Sequence, residues 1–117
     1  MVIGFAGAGP RRGKRLPHDS EVYALYVLGA AQRQGIGRRL MAAVGRALRA
    51  QGGRSLCLWV LRDNEPARQF YEALGGIAVG EKLDSMAGRK LPEVAYGWEN
   101  LDQFIARIEA AAPADPT

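Results

Sequence analysis

The sequence has little that would tie the chain to an oxidising compartment or to a membrane. It contains one cysteine, Cys57, which excludes an internal disulfide. No apolar run approaches the roughly 20 residues that cross a bilayer, and there are no internal repeats or low-complexity segments. The N-terminus lacks the charged start, long apolar stretch and small-residue cleavage site of a secretory signal. From these absences we expect a cytoplasmic chain without membrane contacts.

Length and charge narrow the class of protein and of ligand. The 117 residues, 48% hydrophobic and 24% charged, predict one domain at 1–112 and a C-terminal tail at 113–117. The formal net charge is +4, and basic residues cluster between 11 and 15 and between 33 and 39. Neither cluster is interleaved with aromatic side chains that could stack on bases, which disfavours a nucleic-acid partner. A small polyanionic ligand explains the second cluster at least as well.

Hydrophobic periodicity predicts strands and helices in the order β-β-α-β-α-β-β-α. The elements lie at 2–8, 21–28, 35–51 and 55–61, then in a helix capped by Asn64, and finally at 77–84, 91–99 and 101–111. The run at 55–61 shows little alternation, which is typical of a central strand covered on both faces. We place it parallel to the strand at 21–28, after a right-handed crossover. The predicted fold class is therefore α/β, a mixed and mostly antiparallel sheet flanked by helices.

Several side chains can be given an environment from the pattern alone. An apolar stripe with a spacing of four predicts the buried face of the first helix: Ile36, Leu40, Val44 and Leu48. We expect Trp59 and Trp98 in the core, and Cys57, in the middle of a buried strand, as a small core residue rather than a nucleophile. His18 stands alone in a loop, where we expect it to be exposed.

The run from Gln32 to Gly37 joins the end of a predicted strand to the start of a predicted helix. Such a turn aims free backbone N–H groups and the positive end of a helix dipole at one point, which predicts an anion site. Glycine at positions 35 and 37 fits such a site, because a Cβ at either position would collide with a bound phosphate oxygen. The alternative is that they only form a tight turn. A Rossmann fingerprint is disfavoured because its third glycine is missing, and no Lys-Ser or Lys-Thr follows to make a P-loop.

Two motifs in this order resemble the GNAT superfamily of acyl-CoA-dependent N-acetyltransferases. Gln32, Gly35 and Gly37 fit its cofactor signature, which is Gln or Arg, two residues, Gly, one residue, and Gly or Ala. The second signature of the family is an Asn that starts a helix, followed by Phe-Tyr and then Leu-Gly. The residues that match it here are Asn64, Phe70, Tyr71, Leu74 and Gly75. The resemblance covers residues 2 to 99 and implies a GNAT-like fold without the usual N-terminal strand-helix-helix-strand part.

The resemblance implies acetyl-CoA as the cosubstrate, with no metal. The backbone of Leu25, Tyr26 and Val27 would hydrogen-bond the pantetheine arm, which lies along the strand as a further strand would. Asn64 would contact the cofactor near its thioester. Gln32 belongs to the same segment, and the pyrophosphate would be held by the N–H groups that follow it: Arg33, Gln34, Gly35, Ile36, Gly37 and Arg38.

The resemblance further implies direct attack of a primary amine on the thioester in a ternary complex, without an acyl-enzyme. The amine must first lose a proton, and Glu21 is the base that the resemblance favours. A backbone N–H near Val27 would meet the oxyanion. Tyr71 would donate a proton to the thiolate, because the ordinary tyrosine pKa of about 10 keeps it protonated at neutral pH. The amine acceptor itself is not identified by any of these residues.

Each of these residues also has a purely structural interpretation. Asn64 caps a helix with or without a ligand, and Tyr71 beside Phe70 could be a half-buried core tyrosine. Glu21 at the start of a strand could simply be solvated. The function accordingly has an alternative, a catalytically weak or inactive acyl-CoA-binding or interaction module of the same fold.

The N-terminal strand-helix-helix-strand part of the family fold has no counterpart in this sequence, and this affects the oligomeric state that we expect. In the family its two helices commonly form one wall of the acceptor pocket, and without them a sheet edge and apolar surface would be open. We expect a homodimer or higher oligomer in which a second copy covers that edge. A fragment of a longer protein is the other explanation that stays open.

Overall fold

The computed structural model describes residues 4–12, 16–27, 35–86 and 88–111. Within these ranges the elements follow the predicted order, and their bounds fall close to the predicted ones. The strands are β1 (Gly4–Pro10), β2 (Ser20–Val27), β3 (Leu56–Leu61), β4 (Ile77–Met86) and β5 (Arg89–Trp98). The helices are α1 (Ile36–Ala50), α2 (Glu65–Ala73) and α3 (Leu101–Ala111).

The strands form one sheet in the order β1-β2-β3-β5-β4. β3 lies at the centre, parallel to β2 and antiparallel to β5, as its unbroken apolar run predicts. The β1–β2 and β4–β5 pairs are antiparallel. The mixed, mostly antiparallel sheet flanked by helices is confirmed.

All three helices pack on the same face of the sheet. On β5 the alternating residues Val94, Tyr96 and Trp98 belong to the main hydrophobic core, together with buried side chains of α1, α2 and α3. The predicted stripe of α1 is wrong in part, since only its last member is fully buried. The face that packs is instead Met41, Ala42, Gly45 and Leu48.

The close approach of two helices explains the different face of α1. A Cβ placed on Gly45 would lie 2.9 Å from Cγ1 of Ile105 on α3 and 3.3 Å from Cε2 of Phe104. Because the missing side chain lets α3 approach at this point, α1 turns Gly45 rather than Val44 towards its neighbour.

The opposite face of the sheet is covered in part by the described end of the connection between β1 and β2. Leu16 from this connection packs with Cys57, Ala95 and the half-buried Trp59 in a second, smaller cluster. His18 follows and is only 4% exposed, so the expectation of an exposed histidine is wrong. A Cβ on Gly97 would lie 2.5 Å from Nε2 of His18, and the absence of that Cβ therefore makes room for the imidazole.

Trp59 also departs from its expected place in the core. Its ring is only half-buried and carries the ammonium of Lys82 at 4.3 Å from its centroid, whereas Trp98 is buried as expected. Trp59 therefore lies at the margin of the second cluster.

The sheet has β1 at one edge and β4 at the other. The large apolar side chains exposed in the described ranges lie on β4: Ile77, Val79 and Leu83. No helix in those ranges is both long and apolar enough to cross a membrane. The homodimer expected from the sequence stays a prediction.

Candidate active site

β2 and β3 start as a parallel pair and then separate. Their register joins Glu21 with Cys57 and Val22 with Leu58, and no further pair follows in the described part of the two strands. On its other side β2 stays paired with β1 as far as Val27. Backbone groups of β2 that face the gap therefore lack a partner strand, so an extended ligand with amide groups can bind there.

The residues predicted to hold pantetheine lie along this gap. Leu25, Tyr26 and Val27 pair with β1 through Ala6, Phe5 and Gly4. Successive backbone groups of a strand point to alternate sides, so this stretch also presents N–H and C=O groups to the side of β3. The arrangement suits the predicted contact, which stays a prediction.

The first turn of α1 presents N–H groups that have no partner among the described residues. Gly35 is the N-cap, with a left-handed φ of 77° that favours glycine, and it provides no side-chain cap. The first backbone bond of the helix runs from the N–H of Arg39 to the carbonyl of Gly35 at 3.1 Å. The N–H groups of Ile36, Gly37 and Arg38 precede it, and the first turn contains no acidic residue. This geometry suits the predicted anion site, which stays a prediction. Gln32, Arg33 and Gln34 lie outside the described residues.

Gly37 is constrained by a protein neighbour as well as by the phosphate contact, which stays a prediction. A Cβ on Gly37 would lie 3.1 Å from Cζ of Phe70 and 3.3 Å from its Cε1. The ring of Phe70 on α2 is thus the described neighbour that a larger residue would meet. The two sequence motifs are in direct contact, and this contact sets α2 against the start of α1.

Gly37→Ala tests the contact between Gly37 and Phe70, because the contact decides whether the substitution raises or lowers the free energy of unfolding. In an ordinary helix the change would stabilise by about 0.5–1 kcal/mol. Here we expect it to lower the free energy of unfolding by about 1 kcal/mol, because overpacking against Phe70 outweighs the helical gain. In a Phe70→Leu background we expect the same change to be neutral or stabilising. Gly7→Ala is the matched control, since a Cβ there meets nothing within 4 Å. Urea unfolding of the four variants gives these values, and a stabilising Gly37→Ala in the parent chain contradicts the contact.

Asn64 forms the helix cap that its sequence position predicts. Its Oδ1 accepts a hydrogen bond from the backbone N–H of Ala67 at 3.3 Å, and Pro66 and Glu65 follow in the first turn of α2. The side chain is exposed. Because the cap uses only the oxygen, the amide nitrogen can still contact a ligand. The cofactor role of Asn64 stays a prediction.

Tyr71 lies on the helical face of the sheet among other aromatic rings. Its ring centroid is 5.4 Å from Phe70, 6.1 Å from Tyr96 and 6.4 Å from Trp98. Burial raises the pKa of the Tyr71 hydroxyl above its ordinary value. Tyr71 is therefore a core tyrosine that keeps its proton at neutral pH, a property that a proton donor to a thiolate requires.

A hydrogen-bond network that the sequence analysis missed fixes α2 beside Tyr71. The hydroxyl of Tyr96 donates to Oε2 of Glu72 at 2.5 Å and accepts from Nε of Arg68 at 3.1 Å. Both partners lie on α2 and Tyr96 lies on β5, so the network ties the helix to the sheet. The spacing of Arg68 and Glu72 by four on one helix face was the available signal.

Glu21 is buried, so the solvated alternative is wrong. Its side chain is 6% exposed, and both carboxylate oxygens bind Arg12. The backbone N–H of Arg12 donates to Oε1 at 3.0 Å, and Nη2 donates to Oε2 at 3.3 Å. Sequence reasoning did not single out Arg12, although it belongs to the basic cluster at 11–15.

Glu21 and Tyr71 face opposite sides of the sheet. Val22 points into the main core with Tyr71, and its neighbour Glu21 therefore points to the other face. The gap between β2 and β3 begins just beyond Glu21 and Val22. A reacting group held in that gap can thus have a carboxylate on one face and a phenol on the other.

Cys57 is a poor nucleophile in this setting. Burial, with a smaller contribution from the charge of Glu21, raises the pKa of its thiol to about 11. Its Sγ lies 3.4 Å from the carbonyl of Ser20. The expectation of a buried core cysteine is confirmed.

Comparison with known proteins points to one family. The acetyltransferase (GNAT) family model matches residues 2–76. The uncharacterised N-acetyltransferase YuaI of Bacillus subtilis is 41% identical over 100 residues, which is 86% of this chain and 57% of that protein. A GNAT-family acetyltransferase from Desulfovibrio desulfuricans superposes with a TM-score of 0.67 at 28% identity, over 83% of this chain and 60% of that one.

A further solved structure is that of YncA from Salmonella typhimurium with its cofactor acetyl-CoA. It superposes with a TM-score of 0.66 at 22% identity, over 84% of this chain and 58% of that one. This likeness shows a shared fold. The chain spans less than two thirds of the length of each of these three proteins.

Proposed function

Because this chain belongs to the acetyltransferase (GNAT) family, we propose that it transfers an acetyl group from acetyl-CoA to a primary amine by direct attack. The observation that carries the proposal is the gap between β2 and β3, with the open N-terminus of α1 beyond β2 and Glu21 and Tyr71 on opposite faces of the sheet. In this proposal pantetheine lies along Leu25 to Val27, and the pyrophosphate binds the first N–H groups of α1.

The reaction needs proton transfers before and after one tetrahedral intermediate. The ammonium of the acceptor gives a proton to Glu21, directly or through water, and the free amine then attacks the thioester carbon. A backbone N–H near Val27 stabilises the oxyanion. When the C–S bond breaks, Tyr71 donates its proton to the thiolate of coenzyme A. The nitrogen loses its second excess proton to solvent as the amide forms, the Tyr71 phenolate regains a proton, and Glu21 releases the proton that it took. The site is then restored, with one net proton given to solvent in each turnover.

Two features support direct attack over an acyl-enzyme. Cys57 is buried and its pKa of about 11 leaves almost no thiolate at neutral pH. Tyr71 keeps its proton because burial raises its pKa. Neither residue is therefore poised to accept an acetyl group, whereas an amine made free by Glu21 is a competent nucleophile.

Initial-rate kinetics test this proposal. Thiol release from acetyl-CoA, measured against a panel of primary amines, should give intersecting lines in double-reciprocal plots, because both substrates bind before chemistry. Calorimetry should give binding of acetyl-CoA without an amine. Parallel lines, which indicate an acyl-enzyme, would contradict direct attack. Cofactor binding without turnover would instead identify an acyl-CoA-binding module.

A further inference from the structure

We propose that the chain selects acceptors that carry a carboxylate next to the amine, as α-amino acids do, and that Arg12 binds this carboxylate. The inference rests on the proposed function, in which Glu21 takes the proton of the amine. It is carried by an exposed guanidinium held directly on a buried carboxylate, on the face of the sheet opposite the helices.

Arg12 is held in place while its charge stays accessible. Its guanidinium lies over the ring of Tyr23, 4.1 Å from the centroid, and its backbone N–H is fixed on Oε1 of Glu21. The Arg12 side chain is 64% exposed, against 6% for Glu21. A guanidinium has five N–H donors in a planar fork, and Glu21 is the one carboxylate that pairs with it in the described ranges. The remaining donors can bind a second carboxylate.

An acceptor with both charges can exchange with the Arg12–Glu21 pair without leaving a charge unpaired. Glu21 is buried, so the cation of Arg12 can leave it only if another cation replaces it. The ammonium of the acceptor is that cation. Arg12 then needs an anion, which an acceptor carboxylate supplies and a plain amine does not. The amine and the carboxylate of an α-amino acid are adjacent. Their two partners are adjacent as well, since Nη2 of Arg12 lies 3.3 Å from Oε2 of Glu21.

The local charge favours the same class of acceptor. Four basic residues lie in the connection between β1 and β2: Arg11, Arg12, Lys14 and Arg15. The described member that pairs with Glu21, Arg12, repels a simple cationic amine from the approach to that carboxylate. A zwitterion has no net charge and brings its own anion, so it avoids this repulsion.

The test compares L-amino acids with their decarboxylated amines and with their amides. We expect the parent chain to favour at least one amino acid over its amine by about 10- to 100-fold in kcat/KM, the range of a charge-assisted hydrogen bond. In Arg12→Gln this preference should fall to about threefold, mainly through a raised KM, and Arg12→Lys should restore part of it. Arg46→Gln is the matched control, since it removes an exposed ion pair with Glu109 elsewhere.

Two results would overturn the assignment. One is a parent chain without a preference for the carboxylate. The other is an Arg12→Gln variant that loses kcat for acids and amines alike, which would mean that Arg12 only orients Glu21.

If no compound is acetylated, the proposed function fails. The role of Arg12 is then tested separately, by measuring the binding of amino acids. Calorimetry of the same compounds with the chain loaded with coenzyme A should then show amino-acid binding that Arg12→Gln abolishes. Equal binding by the two variants, or none, would overturn the role of Arg12.

Discussion

Tyr71→Phe lowers kcat for acetyl transfer by about 100-fold in our account, the lower end of the range for a general acid. The substitution removes only the hydroxyl, so the ring still packs against Phe70, Tyr96 and Trp98. We therefore expect the affinity for acetyl-CoA to stay within about threefold, since the loss falls on proton donation rather than on binding. Steady-state kinetics and calorimetry of the variant measure the two quantities.

The pH dependence and a neighbouring tyrosine separate this role from packing. Tyr71 acts in its protonated form and burial raises its pKa, so activity should fall only above the ordinary tyrosine value of about 10. That alkaline limb should be absent in Tyr71→Phe. Tyr96→Phe is the control, because it removes another hydroxyl of the same interface, and we expect it to change kcat by less than about threefold. A Tyr71→Phe variant with unchanged kcat contradicts the general-acid role.

Glu21→Gln has the second large expected effect, a fall in kcat of about 100-fold at neutral pH. The amide has the shape of the carboxylate but cannot take a proton from the acceptor ammonium. The deficit should narrow as the pH approaches the pKa of the acceptor amine, because the free amine then forms without a base. A pH profile of kcat for the parent and the variant checks both statements.

Another carboxyl on the same face of the sheet provides the control for Glu21. Glu93 on β5 pairs with Lys82 at 3.7 Å, and burial raises its pKa. We expect Glu93→Gln to keep kcat within about threefold of the parent value. The assignment of the base is wrong if Glu93→Gln loses activity and Glu21→Gln does not. Retained binding of acetyl-CoA shows that either variant is folded.

Local pattern was sufficient to predict the elements, their order along the chain and the central place of β3 in the sheet. The unbroken apolar run of β3 indicated its central place, and Asn64 and Gly35 marked the helix starts because capping depends on nearby residues alone. The motif residues on α1 and α2 were found for the same reason. These signals need no knowledge of distant contacts.

Contacts between distant segments were not predictable in this way. The burial of His18 depends on the missing Cβ of Gly97, which lies far along the chain. The pairing of Arg12 with Glu21 depends on how the β1–β2 connection folds back onto the sheet, and the sequence there shows only a basic cluster. The contact of Gly37 with Phe70 forms only after α2 has packed, so it could not be read from the residues near Gly37. Tertiary packing decided each of these positions.

The most direct test of the account is a crystal structure of the chain with acetyl-CoA. We predict that pantetheine lies between β2 and β3, that the pyrophosphate lies on the N–H groups of Ile36 to Arg38, and that the Tyr71 hydroxyl is within about 3.5 Å of the thioester sulfur. A cofactor bound outside this gap, or a sulfur on the other side of the sheet from Tyr71, would contradict the account.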